Sequence, residues 1–224
     1  YGIGTWLIPQ NFTKISDKEI KLNFGANENV AFSATFKFDE LVEDVKVTIN
    51  ADVLKKGAYS FAVFTGDGVK KEQFHTVTAP MLYVKHALPE GPTVLTEAFL
   101  FTPMNTFNYA ADNNIKTPGR ELTYGIAVDP ESISQHFAHP DTSEFGALFY
   151  TSGNLARPHI VAPMMGTESS KFDAGETYQF SYRIVNQFEG WYDTFKRVAT
   201  KMYNNTDLRT NYYGSINDCI YNVA

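Results

Sequence analysis

Cysteine is almost missing from this 224-residue chain: Cys219 stands alone, so no disulfide can close within it. A strong excess of one charge is missing too. The formal net charge is −6, and the basic residues are dispersed, with Lys55-Lys56 and Lys70-Lys71 as isolated pairs beside turns. Phosphate backbones need concentrated Lys and Arg, so nucleic acid is excluded as a partner. No run approaches the roughly 18 apolar residues of a membrane helix, and no membrane-spanning segment is expected. The chain opens on Tyr and has no charged-then-apolar leader. It is therefore expected to be a processed or trimmed piece from which any export signal is already gone, and the lone cysteine fits a cytosolic protein and a bacterial exported one equally. Internal repeats and low-complexity segments are absent, as is a Gly-x-Ser-x-Gly elbow. Gly66-Asp67-Gly68 lacks the further glycines of a phosphate loop and reads as a hairpin turn.

What the chain does have is apolar and aromatic residues in alternation. Apolar residues make up 43% and charged residues 20%, which excludes a disordered chain. Between Val45 and Val53 the period of two is complete: Val45, Val47, Ile49, Ala51 and Val53 share one face, Lys46, Thr48, Asn50 and Asp52 the other. Phe32 to Phe38, Leu122 to Val128 and Tyr178 to Ile184 repeat it. More continuous apolar runs, such as Tyr59–Phe64, Met81–Ala87, Ala98–Phe101 and Ala147–Tyr150, read as strands covered on both faces. Turn residues punctuate them: Gly25-Ala26-Asn27, Lys56-Gly57, Thr117-Pro118-Gly119 and Asp173-Ala174-Gly175. Many short strands without intervening helices predict a mostly β protein, a large two-sheet antiparallel β-sandwich over residues 1–187.

After Val185 the period changes. Trp191, Phe195, Val198, Ala199 and Met202 fall at spacings of three and four, with no proline or glycine between Trp191 and Tyr203. This predicts an amphipathic helix ended by Asn204-Asn205-Thr206-Asp207. A second helix start follows at Ser215-Ile216-Asn217-Asp218, a hydroxyl cap with an acid three residues on. Residues 188–224 are thus expected to be a linker helix and the beginning of a helical domain that continues past Ala224.

The stretch from Gly190-Trp191-Tyr192-Asp193 through Met202-Tyr203 to Tyr212-Tyr213-Gly214-Ser215, with Ala162-Pro163-Met164-Met165 and Ala174–Phe180 before it, resembles a known junction. It is similar to the passage from the N-terminal β super-sandwich, of galactose mutarotase-like type, into the first toroid helix of bacterial six-hairpin (α/α-toroid) glycosidases. Such proteins are common among the secreted polysaccharide-degrading enzymes of Bacteroides-type bacteria, so the resemblance implies a secreted, periplasmic or cell-surface location. The resemblance covers about sixty residues. It implies that the catalytic carboxylates belong to the toroid, so that no catalytic residue lies in this chain. The partners it implies are the downstream helical domain and an oligo- or polysaccharide.

Candidate chemistry within the chain is sparse. His136 and His139 with Asp141 are the nearest thing to a metal motif, and His159 or Glu144 would have to complete it. Pro140 pushes His139 toward an extended conformation, so a polar loop is the better reading, and neither a metal nor a cofactor is expected. Asp129, Glu131, Asp141, Glu144, Glu168 and Glu189 are carboxylates that the sequence alone cannot pair. Two sets remain for carbohydrate: Trp6 as an exposed ring, and the loop holding His136, His139, Asp141 and Glu144. Phe188, Trp191, Phe195 and Met202 are assigned to packing between helix and sandwich. The expected function is a non-catalytic sandwich supporting a glycoside hydrolase, with a stand-alone carbohydrate-binding module or a scaffold or adhesion domain as the alternatives.

Overall fold

The computed structural model describes residues 4–62, 69–70, 74–79, 81–84, 93–96, 108–112, 122–132, 144–152 and 155–204. In chain order its strands are β1 (Asn11–Ser16), β2 (Glu19–Ala26), β3 (Val30–Asp39), β4 (Asp44–Val53), β5 (Gly57–Ala58), β6 (Phe61–Ala62), β7 (Val69–Lys70) and β8 (Phe74–Ala79). There follow β9 (Met81–Val84), β10 (Thr93–Thr96), β11 (Asn108–Asp112), β12 (Leu122–Val128), β13 (Gly146–Ser152), β14 (Leu155–Ala162), β15 (Lys171–Phe172) and β16 (Thr177–Gln187). A helix, α1 (Trp191–Arg197), closes the described chain and runs on as a π-helical turn over Val198–Met202.

Nine strands form one antiparallel sheet in the order β1-β2-β3-β4-β16-β12-β11-β8-β9, and five form a second, β10-β13-β14-β6 with β7 also on β14. The alternating segments take the places that their period dictates. In β3 and β4, paired from Val30↔Val53 to Asp39↔Asp44, the residues Phe32, Ala34, Val47, Ile49 and Ala51 turn inward together. They meet Ile160 and Ala162 of β14, together with Phe145, Ile126, Val128, Phe180 and Tyr182. Burying a side chain of this size contributes about 1.5–3 kcal/mol, and this shared layer makes the two sheets one sandwich.

The larger sheet overhangs the smaller one. Phe12 lies opposite Leu22 and Phe38 opposite Val45, on the same face as the core, yet Phe12 is 71% and Phe38 43% exposed. At its centre the same sheet is covered on both sides. Ala127 of β12 and Val185 of β16, which point away from the sandwich core, are buried against Val198 with Phe195, Met202 and Tyr203 around them. The helix therefore lies on the outer face of the sheet. Asn204, in the left-handed region at φ 54°, ends it. The second helix start expected at Ser215 lies outside the described residues.

Candidate functional site

Two features of the sandwich have the polar chemistry of a site. The first is where α1 joins the sheet. Arg197 holds three elements at once. Its Nε donates to Glu189 Oε1 at 2.8 Å, and its Nη1 donates to the Val42 carbonyl at 2.6 Å and faces Asp44 Oδ1 at 3.4 Å. Thr123 of β12 donates to the Glu189 carbonyl at 2.7 Å, and Gln187 to the Glu43 carbonyl at 2.9 Å. At the far end the Tyr203 hydroxyl donates to the Val128 carbonyl. Asp44 is 2% exposed. Burial pushes its carboxyl above the ordinary carboxylate range, and Arg197 and Arg183 work against that push. Asp44 Oδ2, Thr194 Oγ1 and Arg197 Nη2 are buried without a hydrogen bond of ordinary geometry. A buried polar atom left unpaired costs about 1–3 kcal/mol, so this seat is held by fixed geometry with little energy to spare.

The second feature is a cleft of about 660 Å³ beside β16, lined by Thr48 of β4, Ser132, Gln179 and Ser181 among others. The pairing of β12 with β16 stops at Val128↔Tyr182. Beyond it, Asp129 N–H donates to the Ser181 carbonyl at 3.1 Å and Ser181 N–H donates to Ser132 Oγ at 2.8 Å. In an antiparallel strand, residues two apart point their N–H and C=O the same way, so those of Gln179 point to the side of β16 on which, among the described residues, β12 pairs only from Tyr182 onward. Lys46, Thr48, Glu131, Glu144, Tyr178 and Gln179 are among its walls.

A chain of alternating charge runs along the outer face into this cleft. Arg183 Nη1 meets Asp39 Oδ2 at 2.9 Å, and its Nε meets Asp129 Oδ2 at 2.9 Å. Lys46 Nζ then meets Asp129 Oδ1 at 3.3 Å and Glu131 Oε2 at 2.6 Å. Asp129 is 1% exposed and would be costly to bury unpaired. Burial alone would lower the Lys46 ammonium, but Glu131 and Asp129 outweigh it and hold its pKa above the ordinary lysine value. Arg183 is raised in the same way, burial again opposing, by Asp39 and Asp129. Three carboxylates against two cations leave this chain of charges with one negative charge.

The residues singled out from the sequence fall in different places. Glu144 lines the cleft, while Trp6 does not and stands 73% exposed ahead of β1. His136, His139 and Asp141 lie outside the described residues, as does the side chain of Trp191. His159 is 1% exposed in β14, and no group of three His, Cys, Asp or Glu suited to a metal occurs among the described residues. Phe195 and Met202 pack on the sheet through Ala127, Val185 and Val198, whereas Phe188 is 66% exposed and is not part of that cluster. Phe188 falls outside because the chain has already left β16 at Gln187, one residue earlier.

Sequence reasoning placed Lys46 on the outward face of its strand but did not see its partners. Asp129 and Glu131 lie 83 and 85 residues away. Arg197 was missed altogether. It gives no periodic signal, because a cation in the last turn of a helix is ordinary there.

The fold and junction define a large antiparallel β-sandwich with a helix docked on its outer face. No family model matches the sequence, and no curated protein matches it. Among solved structures the chain is similar to part of the GH36 α-galactosidase of Geobacillus stearothermophilus, determined in complex with 1-deoxygalactonojirimycin. The TM-score is 0.52 and the identity 12%, over 93% of this chain and 30% of that one. It is also similar to the α-galactosidase of Lactobacillus brevis, at TM-score 0.49 and 11% identity over 89% and 27% of the two chains. A galactose mutarotase-like protein from Lactobacillus casei gives TM-score 0.42 and 9% identity over 79% and 72%. The first likeness shows a shared fold. The chain spans under a third of the length of the α-galactosidases it matches.

Proposed function

We propose that this chain is the non-catalytic sandwich domain of a longer, secreted glycoside hydrolase, and that it works as a rigid seat for the helical part that follows. The Arg197 junction carries this reading. A largely buried guanidinium tying α1 to the β3–β4 turn, to β4 and to Glu189 in the segment between β16 and α1 fixes the direction in which the chain leaves the sandwich. The outer face of β12 and β16 is covered by that helix, which gives it a second, apolar attachment. The fold shared with part of an α-galactosidase supports the carbohydrate side of the proposal. Hydrolysis would then be done by carboxylates outside this chain. Trp6 and Glu144 are the described residues through which the sandwich would touch a glycan.

The test compares the complete gene product with the 224-residue chain on a panel of aryl α- and β-glycosides. Turnover by the complete product, and none by the chain alone, is the expected result. Turnover by the chain alone would refute the non-catalytic role, and a complete product that ends close to Ala224 would remove the helical partner.

A further inference from the structure

We infer that the overhanging part of the large sheet, the core-side face of β1, β2 and β3, is an interface between two copies of this chain. The inference is independent of the Arg197 junction and of any contact with carbohydrate.

The strand registers define the face. Phe12 of β1 lies opposite Leu22 of β2, and Leu22 opposite Ala34 of β3. Ile20 lies opposite Phe36, and Phe38 follows two residues later on the same side of β3. Ala34 and Phe36 belong to the core layer, so all these side chains project on its side of the sheet. Yet Phe12 is 71%, Phe38 43% and Ile20 39% exposed. At about 200 Å² for a side chain of this size, the three leave roughly 300 Å² of apolar surface open, as much as the largest patch on many monomers.

Size and charge select a second copy as the occupant. With the half-buried Leu22 and Phe36 and the stem of Lys14, a covering copy would bury about 500–600 Å² on each partner. The total, about 1,000–1,200 Å², suits a weak and reversible dimer. The chain as a whole carries −6, which opposes the approach of two copies. Beside this face the charges cancel: Lys14 pairs with Asp17 and Lys18 with Glu40, two cations against two carboxylates. A face of balanced charge can meet itself across a two-fold axis without repulsion.

The adjoining edge is guarded against strand addition. Lys14 lies opposite Ile20 and so shares the apolar face, and the register of β1 shifts between Lys14 and Ser16. An inward-pointing charge and a bulge both discourage pairing along an edge strand. The two copies therefore meet face to face, as packed sheets do, each covering what the smaller sheet leaves open.

The experiment is sedimentation equilibrium of the 224-residue chain and of the complete gene product. The chain should dimerise reversibly with a Kd of about 10–100 μM. Phe12→Glu and Phe38→Glu should each weaken association about 30-fold or more, and Phe12→Glu should leave the melting temperature of the dilute chain unchanged. Met165→Glu, at an exposed residue in the turn after β14, should leave the Kd within about twofold. Three results would overturn the inference. The first is a chain that stays monomeric up to about 500 μM. The second is a dimer that neither Phe12→Glu nor Phe38→Glu weakens. The third is a complete gene product that stays monomeric where the chain dimerises, since the rest of the polypeptide would then be what covers the face.

Discussion

Replacing Arg197 with Met keeps the length and the apolar stem of the side chain and removes its charge. The Asp44 side chain, fully inaccessible to solvent, would lose its guanidinium, and Glu189 and the Val42 carbonyl would lose their donor. Removing one partner of a buried pair costs about 3–5 kcal/mol, because the other charge stays behind without compensation. Folds of this kind have about 5–15 kcal/mol in all, so the loss is severe. At roughly 2–4 °C per kcal/mol for a chain of this length, melting should fall by about 6–20 °C. The cost should be concentrated at α1, so amide hydrogen exchange of Thr194 and Tyr203, bonded to Gly190 and Val198, should quicken more than that of β3 or β4. Adding Asp44→Asn to Arg197→Met removes the stranded charge and should restore most of the loss. An Arg197→Met variant within 1 kcal/mol of the parent, or a double variant no better than the single one, would refute the reasoning.

Other outcomes follow from the same geometry. Gly25 sits at φ +80°, where an L side chain is strained. Gly25→Ala should cost about 1–2 kcal/mol in urea unfolding, even after the flexible Gln10 side chain moves aside from the new Cβ. Ile49→Ala, in the fully packed layer between the sheets, should cost about 2–5 kcal/mol by the same measurement, and a loss below 1 kcal/mol would contradict that packing. Stability should fall toward both ends of the pH range. Asp39 is held low by Arg183 and the Leu41 and Val42 N–H groups, although burial works the other way. Its contribution is therefore present above the unfolded value of about 3.9 and lost as pH falls through its lower folded value. Lys46 is raised, so its contribution is complete below about 10.4 and is lost as pH rises through the folded value. Burial raises Tyr178 and Tyr182 as well, and these lose stability in the same alkaline direction. Denaturant midpoints against pH should therefore drop more steeply above about pH 10 than one group allows, about 1.4 kcal/mol per unit.

The fold was legible wherever one face of a strand is buried. The alternation from Val45 to Val53 gives the inward Val47, Ile49, Ala51 and Val53 of β4 because a strand turns its side chains by halves. The pattern at Phe32–Phe38 gives the direction of Phe38 but not its exposure, since where the second sheet ends depends on a different part of the chain. At β12 the sequence shows the core face in Tyr124, Ile126 and Val128. It does not show that Ala127 is buried on the other face, because a helix beginning more than sixty residues later covers it. The helix itself was legible from its spacing of three and four, though its π-helical last turn was not. The polar features were the least readable: pairs such as Arg183–Asp39 and Arg197–Val42 span 144 and 155 residues. No local period records a partner at that distance. Glu144 was chosen as a candidate carboxylate, while Lys46, Gln179 and Arg183 read simply as outward residues of strands.

The most direct test of the supporting role is the activity of the complete gene product carrying Arg197→Met, measured with aryl glycosides at 25 °C and after heating. If the sandwich is a seat and takes no part in the chemistry, kcat/KM at 25 °C should stay within about twofold, while the temperature of inactivation falls by about 6–20 °C. A kcat/KM reduced a hundredfold at unchanged thermal stability, about 2.7 kcal/mol of transition-state binding, would place Arg197 in the reaction and contradict the account.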